Sequence, residues 1–240
     1  VKPAIFKIFL RWIVDNTASK VIYVSEYLRC AEDFKVSDKV VIHNCLSEDF
    51  SKAAAANTYS FDSKRFNVLM VCSLKTYKGV GEFVNIAKMF LHKNDISFSL
   101  VLDATTNDIG EFFSGVDIPK NLSIFPSQSN LDSFYRKANL VLNLTNPDQC
   151  IETFGLTILE AMSYGIPSIV PPRGGPVELV RDKQDGYLIE SKDTKRLYKT
   201  ILELSDDRKL CLKLSRSARE QSSKFSVDKF RRSLKNIIAD

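Results

Sequence analysis

The chain has 240 residues, 44% of them hydrophobic and 26% charged, and a net charge of +5. That balance excludes a disordered, collagen-like or coiled-coil chain and leaves material for a buried core in one large or two small domains. No window holds about 18 uncharged apolar residues, so no membrane-spanning helix is expected.

The first residue is Val1, and the chain enters a helix directly, as expected of a fragment whose upstream part is missing. Residues 5–14 are apolar on most sides of that helix, which implies burial against something. Lys7 and Arg11 interrupt the run, which is too long and mixed for a secretory signal core. Phe6, Phe9 and Trp12 are expected to pack on the upstream part. Val21–Val24 and Val40–Ile42 are short β-branched runs and read as strands. Residues 51–65, with the Ala53–Ala56 run, Asn57, Ser60 and Ser63, read as a turn-rich connector.

A regular alternation follows. Asn67–Cys72 is a continuous apolar run, as in a buried parallel strand. Val80, Phe83, Val84, Ala87 and Phe90 have helical spacing. Strands are expected at 98–102, 122–125, 140–144, 168–170 and 187–189. Helices are expected at 108–113, 131–138, 154–164 and 176–181, and near 193–204, 206–222 and 226–238. Gly165 and Pro167 end the helix at 154–164. This order predicts an α/β fold, a doubly wound, Rossmann-like parallel sheet with helices on both faces. Ligands of such sheets bind outside the carboxyl ends of the strands, at the switch point. The loops after Cys72, Asp103, Phe125, Leu144 and Val170 are therefore expected to face the site.

The basic excess is local: residues 181–240 carry 16 Lys/Arg against 10 Asp/Glu. A basic helical tail can favour an anionic membrane surface, although a solvated helix face is its commoner use; no nucleic-acid partner is expected. The cysteines Cys30, Cys45, Cys72, Cys150 and Cys211 are odd in number and scattered. Neither a disulfide framework nor a zinc ribbon fits them, and reduced thiols in a cytosolic compartment are the preferred reading. There is no Asp-x-Asp, His43 and His92 are the two histidines, and no metal is expected. Gly79-Val-Gly81 suggests a dinucleotide fingerprint, but Val84 occupies the position of its third glycine. His43 reads as a strand-end residue with a structural hydrogen bond. Thr145, Asn146 and Asp148 either line a pocket or shape its loop.

The strongest constellation runs from Glu152-Thr-Phe-Gly-Leu-Thr-Ile-Leu-Glu160 to Ala161-Met-Ser-Tyr-Gly-Ile-Pro167. Phe154-Gly155-Leu156 are expected to open a helix whose free N–H groups favour a phosphate, and Gly155 allows close approach. Glu152 lies just before the helix, and Glu160 can lean back over the same end. Two carboxylates flanking a phosphate site suit a nucleotide sugar, with hydroxyls on both sides of a diphosphate.

This segment resembles the E-x7-E motif of retaining glycosyltransferases of the GT-B fold, family 4 (glycosyl transferases group 1). Further motifs extend the resemblance over roughly residues 20–225: Tyr23-Val-Ser-Glu26, Val41-Ile-His-Asn44, Leu69-Met-Val-Cys-Ser-Leu-Lys-Thr-Tyr-Lys-Gly79, Gly174-Gly-Pro-Val-Glu178 and Asp185-Gly-Tyr-Leu188. It implies three parts. Residues 1–60 are a remnant of the acceptor-side domain with the interdomain crossover. Residues 61–225 bind the donor, and 226–240 form a bracing helix.

It also implies roles. Glu160 would contact ribose hydroxyls, and Glu152 donor-sugar hydroxyls. Backbone N–H groups at Gly155 and Leu156 would hold the diphosphate, Phe154 would join the donor site, and the base would sit near Ser127 and Leu131. Lys78 matches the lysine of the family's basic pair, while Ser73 stands where the family has arginine. Lys75 is a second nearby cation able to bind phosphate. Glu152 and Lys78 are the expected catalytic residues.

The expected activity is sugar transfer, with retention, to a hydroxyl of a glycan or lipid-linked acceptor, in surface-polysaccharide assembly. It needs no cofactor or metal, and the missing N-terminal domain is a partner. The chain alone is expected to transfer poorly. Its expected location is cytoplasmic, with peripheral contact at the inner membrane face. The rivals are a non-catalytic sugar-nucleotide-binding partner subunit and a GT-B-like sugar-nucleotide epimerase.

Overall fold

The computed structural model describes residues 4–61 and 65–239. The N-terminal part holds α1 (Ala4–Thr17), β1 (Lys20–Tyr23), α2 (Glu26–Ala31), β2 (Asp38–Val41) and α3 (Glu48–Ala55). β1 and β2 pair in parallel as a small separate sheet, Lys20 opposite Asp38 and Tyr23 opposite Val41.

The main body alternates β3 (Phe66–Ser73), α4 (Val80–Met89), β4 (Ile96–Asp103), α5 (Thr106–Phe112), β5 (Leu122–Phe125), α6 (Asp132–Lys137) and β6 (Leu140–Leu142). It continues through α7 (Leu156–Ser163), β7 (Ser168–Val170), α8 (Pro176–Leu179) and β8 (Gly186–Leu188). α9 (Thr194–Asp206), α10 (Arg208–Ser222) and α11 (Val227–Ala239) close it. The six strands lie in the order β5-β4-β3-β6-β7-β8, all parallel. The chain first builds outward from β3 to β5, then restarts on the other side of β3 with β6. The switch point therefore lies between β3 and β6.

The apolar runs explain the layers. Val68, Leu100, Leu140 and Ile169 are fully buried, as expected of strands covered on both faces. Phe83, Ile86 and Phe90 of α4 and Leu197 and Ile201 of α9 join this core. A second cluster gathers Leu46, Phe154, Ile158, Met162 and Leu179 around α7.

Two expectations change. The segment expected as a connector over 51–65 begins inside α3, and its residues 62–64 lie outside the described ones. Ser47 caps α3 by accepting from Phe50 N–H at 3.2 Å, and Glu48 and Asp49 supply first-turn acid. α2 was not expected; Ser25 caps it by accepting from Leu28 N–H at 3.1 Å. On α1, most of the apolar face is left uncovered by the described residues. Ile8 is 68% and Trp12 61% exposed, with Phe9 stacked on Trp12. Among the described residues no helix is long and apolar enough to cross a membrane.

Candidate functional site

The carboxyl ends of β3 and β6 diverge at the switch point and leave a cleft of about 340 Å³. Ser73 and Lys78 line one wall, and Asn143 and Thr145 another. The floor runs from Glu152 through Phe154 and Gly155 to Leu156 and Thr157. Of the nine site residues expected from sequence, the structure brings six together here: Ser73, Lys78, Glu152, Phe154, Gly155 and Leu156.

α7 begins two residues later than expected, at Leu156. Gly155 is its N-cap, with φ of +105°, a conformation a side chain would resist; an added Cβ would also sit 2.7 Å from Ile158 Cδ1. This glycine opens α7 at Leu156 and Thr157, which line the cleft and whose N–H groups lack intrahelical acceptors. Phe154 consequently stays outside the helix. Its ring is buried, packing against His43 and Phe225.

Lys78 is carried by a short 3-10 turn, Thr76–Lys78, after β3. Its Nζ donates to Glu152 Oε2 at 2.7 Å, and both side chains are about one-fifth exposed. The cation and the first carboxylate thus form one unit at the base of the cleft. Cys72 lies on the same wall. Burial pushes its thiol up to about 12, with Lys78 opposing, so it stays protonated at neutral pH and is no nucleophile.

Glu160 stands apart from the cleft lining, one turn further along α7. It accepts a hydrogen bond from the Tyr135 hydroxyl at 2.6 Å. Burial raises its carboxyl above the ordinary range, and the Tyr135 hydrogen bond opposes that rise. Ser127 and Leu131 also stand outside the cleft. Ser127 is exposed and its hydroxyl donates to Asp103 Oδ1 at 3.2 Å, while Leu131 caps α6. Ser127 follows β5 and Leu131 precedes α6, and Glu160 meets the same helix through Tyr135.

Thr145 lines the cleft, whereas Asn146 and Asp148 shape the loop. Asn146 Oδ1 accepts from Asp148 N–H at 3.1 Å, and Asp148 pairs with Arg173 at 2.7 Å. His43 does make a structural hydrogen bond, to Glu178 at 2.8 Å. Sequence reasoning missed Asn44 and Asn143 in the cleft lining and Tyr135 beside Glu160. Asn44 was legible as part of the crossover motif, but no pattern pointed it at the cleft. Among the described residues no group of three or more His, Cys, Asp or Glu side chains could hold a metal ion.

Residues 51–221 match the family model for glycosyl transferases group 1. The chain belongs to this family. Curated relatives include sucrose-phosphate synthase of Spinacia oleracea, 26% identical over 172 residues, covering 69% of this chain and 16% of that protein. Probable sucrose-phosphate synthase 2 of Arabidopsis thaliana is 28% identical over 156 residues, covering 62% of this chain and 14% of that protein. The chain thus spans about one-sixth of the length of these curated relatives. Among solved structures, Anabaena Alr3699/HepE in complex with UDP and glucose superposes with a TM-score of 0.82 at 18% identity, covering 97% of this chain and 66% of that one. A glycosyltransferase from Rickettsia africae ESF-5 gives 0.80 at 20% identity, covering 95% and 66%. The sheet is that of the Rossmann-like C-terminal half of the GT-B fold.

Proposed function

We propose that this chain is the donor half of a retaining, metal-independent glycosyltransferase. It would bind a nucleoside-diphosphate sugar and pass the sugar to a hydroxyl of a glycan or lipid-linked acceptor. The observation that carries the reading is the Lys78–Glu152 pair, set at the N-terminus of α7 in the switch-point cleft. Residues 61–225 supply the donor site in this reading. Residues 1–60 belong to the acceptor side, and α11 braces the two.

The chemistry follows from charge. Breaking the anomeric bond leaves an oxocarbenium-like sugar and a diphosphate that gains negative charge. Lys78 and the N–H groups at the start of α7 are fixed around that diphosphate, so they stabilise the transition state more than the ground state. One such group contributes about 3–4 kcal/mol. Glu152, at the same end of α7, takes the donor-sugar hydroxyls, and Glu160 takes the ribose. The leaving phosphate accepts the proton of the attacking hydroxyl, so no separate base is needed. The UDP held by the Anabaena structure makes uridine the first base to try.

A second reading, a sugar-nucleotide-binding subunit without transfer, is favoured by Ser73 in place of the family arginine. Calorimetric titration with UDP, GDP and ADP, each with and without chelator, tests the donor site. Saturable, chelator-insensitive binding of one nucleotide, weakened by Glu160→Ala, supports it; no binding to any counts against it. Turnover of an acceptor-supplied full-length protein then separates the two readings.

A further inference from the structure

The crossover leaving β2 reaches the cleft through Asn44, and its neighbour His43 is anchored outside the cleft lining. Asn44 lines the cleft with Ser73, Lys78 and Glu152, although it comes from the N-terminal part of the chain. Its side-chain amide makes no hydrogen bond to another described residue. The backbone does not demand an asparagine here: Lys183 is the one non-glycine among the described residues with positive φ. A half-buried amide on a cleft wall, with donors and acceptor unspent, is equipped for a polar ligand.

His43, next to it, is held on three sides. Its Nε2 lies 2.8 Å from Glu178 Oε2, its ring meets Phe225 edge-on at 5.3 Å, and Phe154 lies at 6.0 Å. Glu178 has more partners on the same side. Its Oε2 accepts from Glu26 N–H at 3.0 Å, and its Oε1 from Tyr27 N–H at 2.8 Å. These are the first two amides of α2, which otherwise lack acceptors. Glu178 itself sits on α8, whose start is pressed on the site loop. Gly175 N–H donates to Glu152 C=O at 2.8 Å, and a Cβ on Gly175 would lie 2.3 Å from Thr153 O. One short helix therefore ties the Glu152 backbone at one end to the crossover and α2 at the other.

Resting on the donor-site reading above, we infer that Asn44 contacts the sugar-diphosphate end of the donor, and that Glu178, through His43, is the positioning residue that holds it there. The end of the donor follows from the cleft. It contains Lys78 and Glu152, while Glu160, assigned to the ribose, lies outside it.

The test is calorimetry on the whole chain with UDP-glucose and UMP. Asn44→Ala is expected to weaken UDP-glucose about tenfold and UMP less than twofold. Glu178→Gln keeps one acceptor but turns a donor towards an N–H or the imidazole. It is expected to show the same selective loss, which a merely structural residue would not. In the wild type the His43 imidazole NMR signal is expected to move on adding UDP-glucose. If Glu178→Gln does not fold, Asn44→Ala and the His43 signal decide alone. Unchanged UDP-glucose binding by Asn44→Ala, or equal loss for both ligands, overturns the inference. Failure of the wild type to bind either ligand overturns the donor-site reading, and the inference with it.

Discussion

Lys78 Nζ and Glu152 Oε2 stand 2.7 Å apart, a cation from the loop after β3 joined to a carboxylate from the loop before α7. Both side chains are about four-fifths buried, so solvent screens the two charges only in part. Lys78→Ala removes a cation from an anionic ligand and leaves Glu152 as an unpaired negative charge beside it. Hydrogen bonds to charged groups are worth about 1.5–3 kcal/mol. UDP affinity is therefore expected to fall about 10- to 100-fold by calorimetry. Adding Glu152→Gln should recover part of that loss, with a coupling of about 0.5–3 kcal/mol between the sites. Strictly additive losses would mean the two do not act as a unit.

Glu160 costs the fold stability where it is ionised. Burial raises its carboxyl above the ordinary glutamate range, against the Tyr135 hydrogen bond. An acid whose folded pKa exceeds its unfolded one costs stability wherever it is ionised. The cost is complete above the folded value and absent below the unfolded one. Glu160→Gln keeps the Tyr135 partner and removes the charge. It is expected to melt higher than wild type at pH 7, with the difference closing as pH falls to about 4. Nucleotide affinity should drop about tenfold in the same variant. A lower melting temperature at pH 7 would contradict this.

Asp185 behaves in the opposite sense. Burial of its side chain pushes the carboxyl up, but Arg181 Nε and Nη2 at 2.6 and 2.7 Å and the Ser217 hydroxyl at 2.6 Å outweigh it. The net position is below the usual aspartate range. A depressed folded pKa gives stability that is present above the unfolded value, about 3.9, and lost as pH falls through the folded one. Asp185→Asn is expected to cost about 2 kcal/mol at pH 7. In urea melts its deficit against wild type should narrow below about pH 4.

Gly175→Ala tests the close approach of α8 to the site loop. The backbone at Gly175 is ordinary, with φ of −58°, so the effect is steric. A Cβ would meet Thr153 O at 2.3 Å and Phe154 Cα at 2.5 Å, both backbone atoms that cannot rotate away. Overpacking of this kind costs about 1–3 kcal/mol. The melting temperature should fall, and UDP-glucose binding should weaken as the Glu152 loop shifts. An unchanged variant would mean that the loop moves freely.

The strands and long helices were legible because their apolar runs carry the periods of buried strands and amphipathic helices. The cleft floor was legible because Glu152, Phe154, Gly155 and Leu156 are close in sequence. Short capped helices were not. α2 has six residues, and Ser25 entered only as part of the motif Tyr23-Val-Ser-Glu26, not as a helix cap. The alanines of α3 were read as a connector, although Ser47 and the acids after it mark a helix start. The start of α7 was misplaced because Phe154 fits the apolar spacing, while Gly155 at φ +105° forbids a helix there. Long-range partners left no periodic trace. Tyr135 and Glu160 are 25 residues apart and His43 and Glu178 are 135 apart, and their meeting depends on the whole sheet.

α11 returns to the N-terminal part of the chain. Arg231 pairs with Glu48, and Lys20 Nζ reaches the Ile237 carbonyl at 3.5 Å across 217 residues. These are among the most distant contacts in the sequence, and loop closure makes such contacts slow to form. During synthesis β3 to β8 can emerge and pair while α11 is still inside the ribosome. The corner where α11 meets β1 and α3 therefore closes after the sheet. A nascent chain stalled before residue 227 would expose that corner, and it is there that a chaperone or protease would meet an otherwise completed sheet.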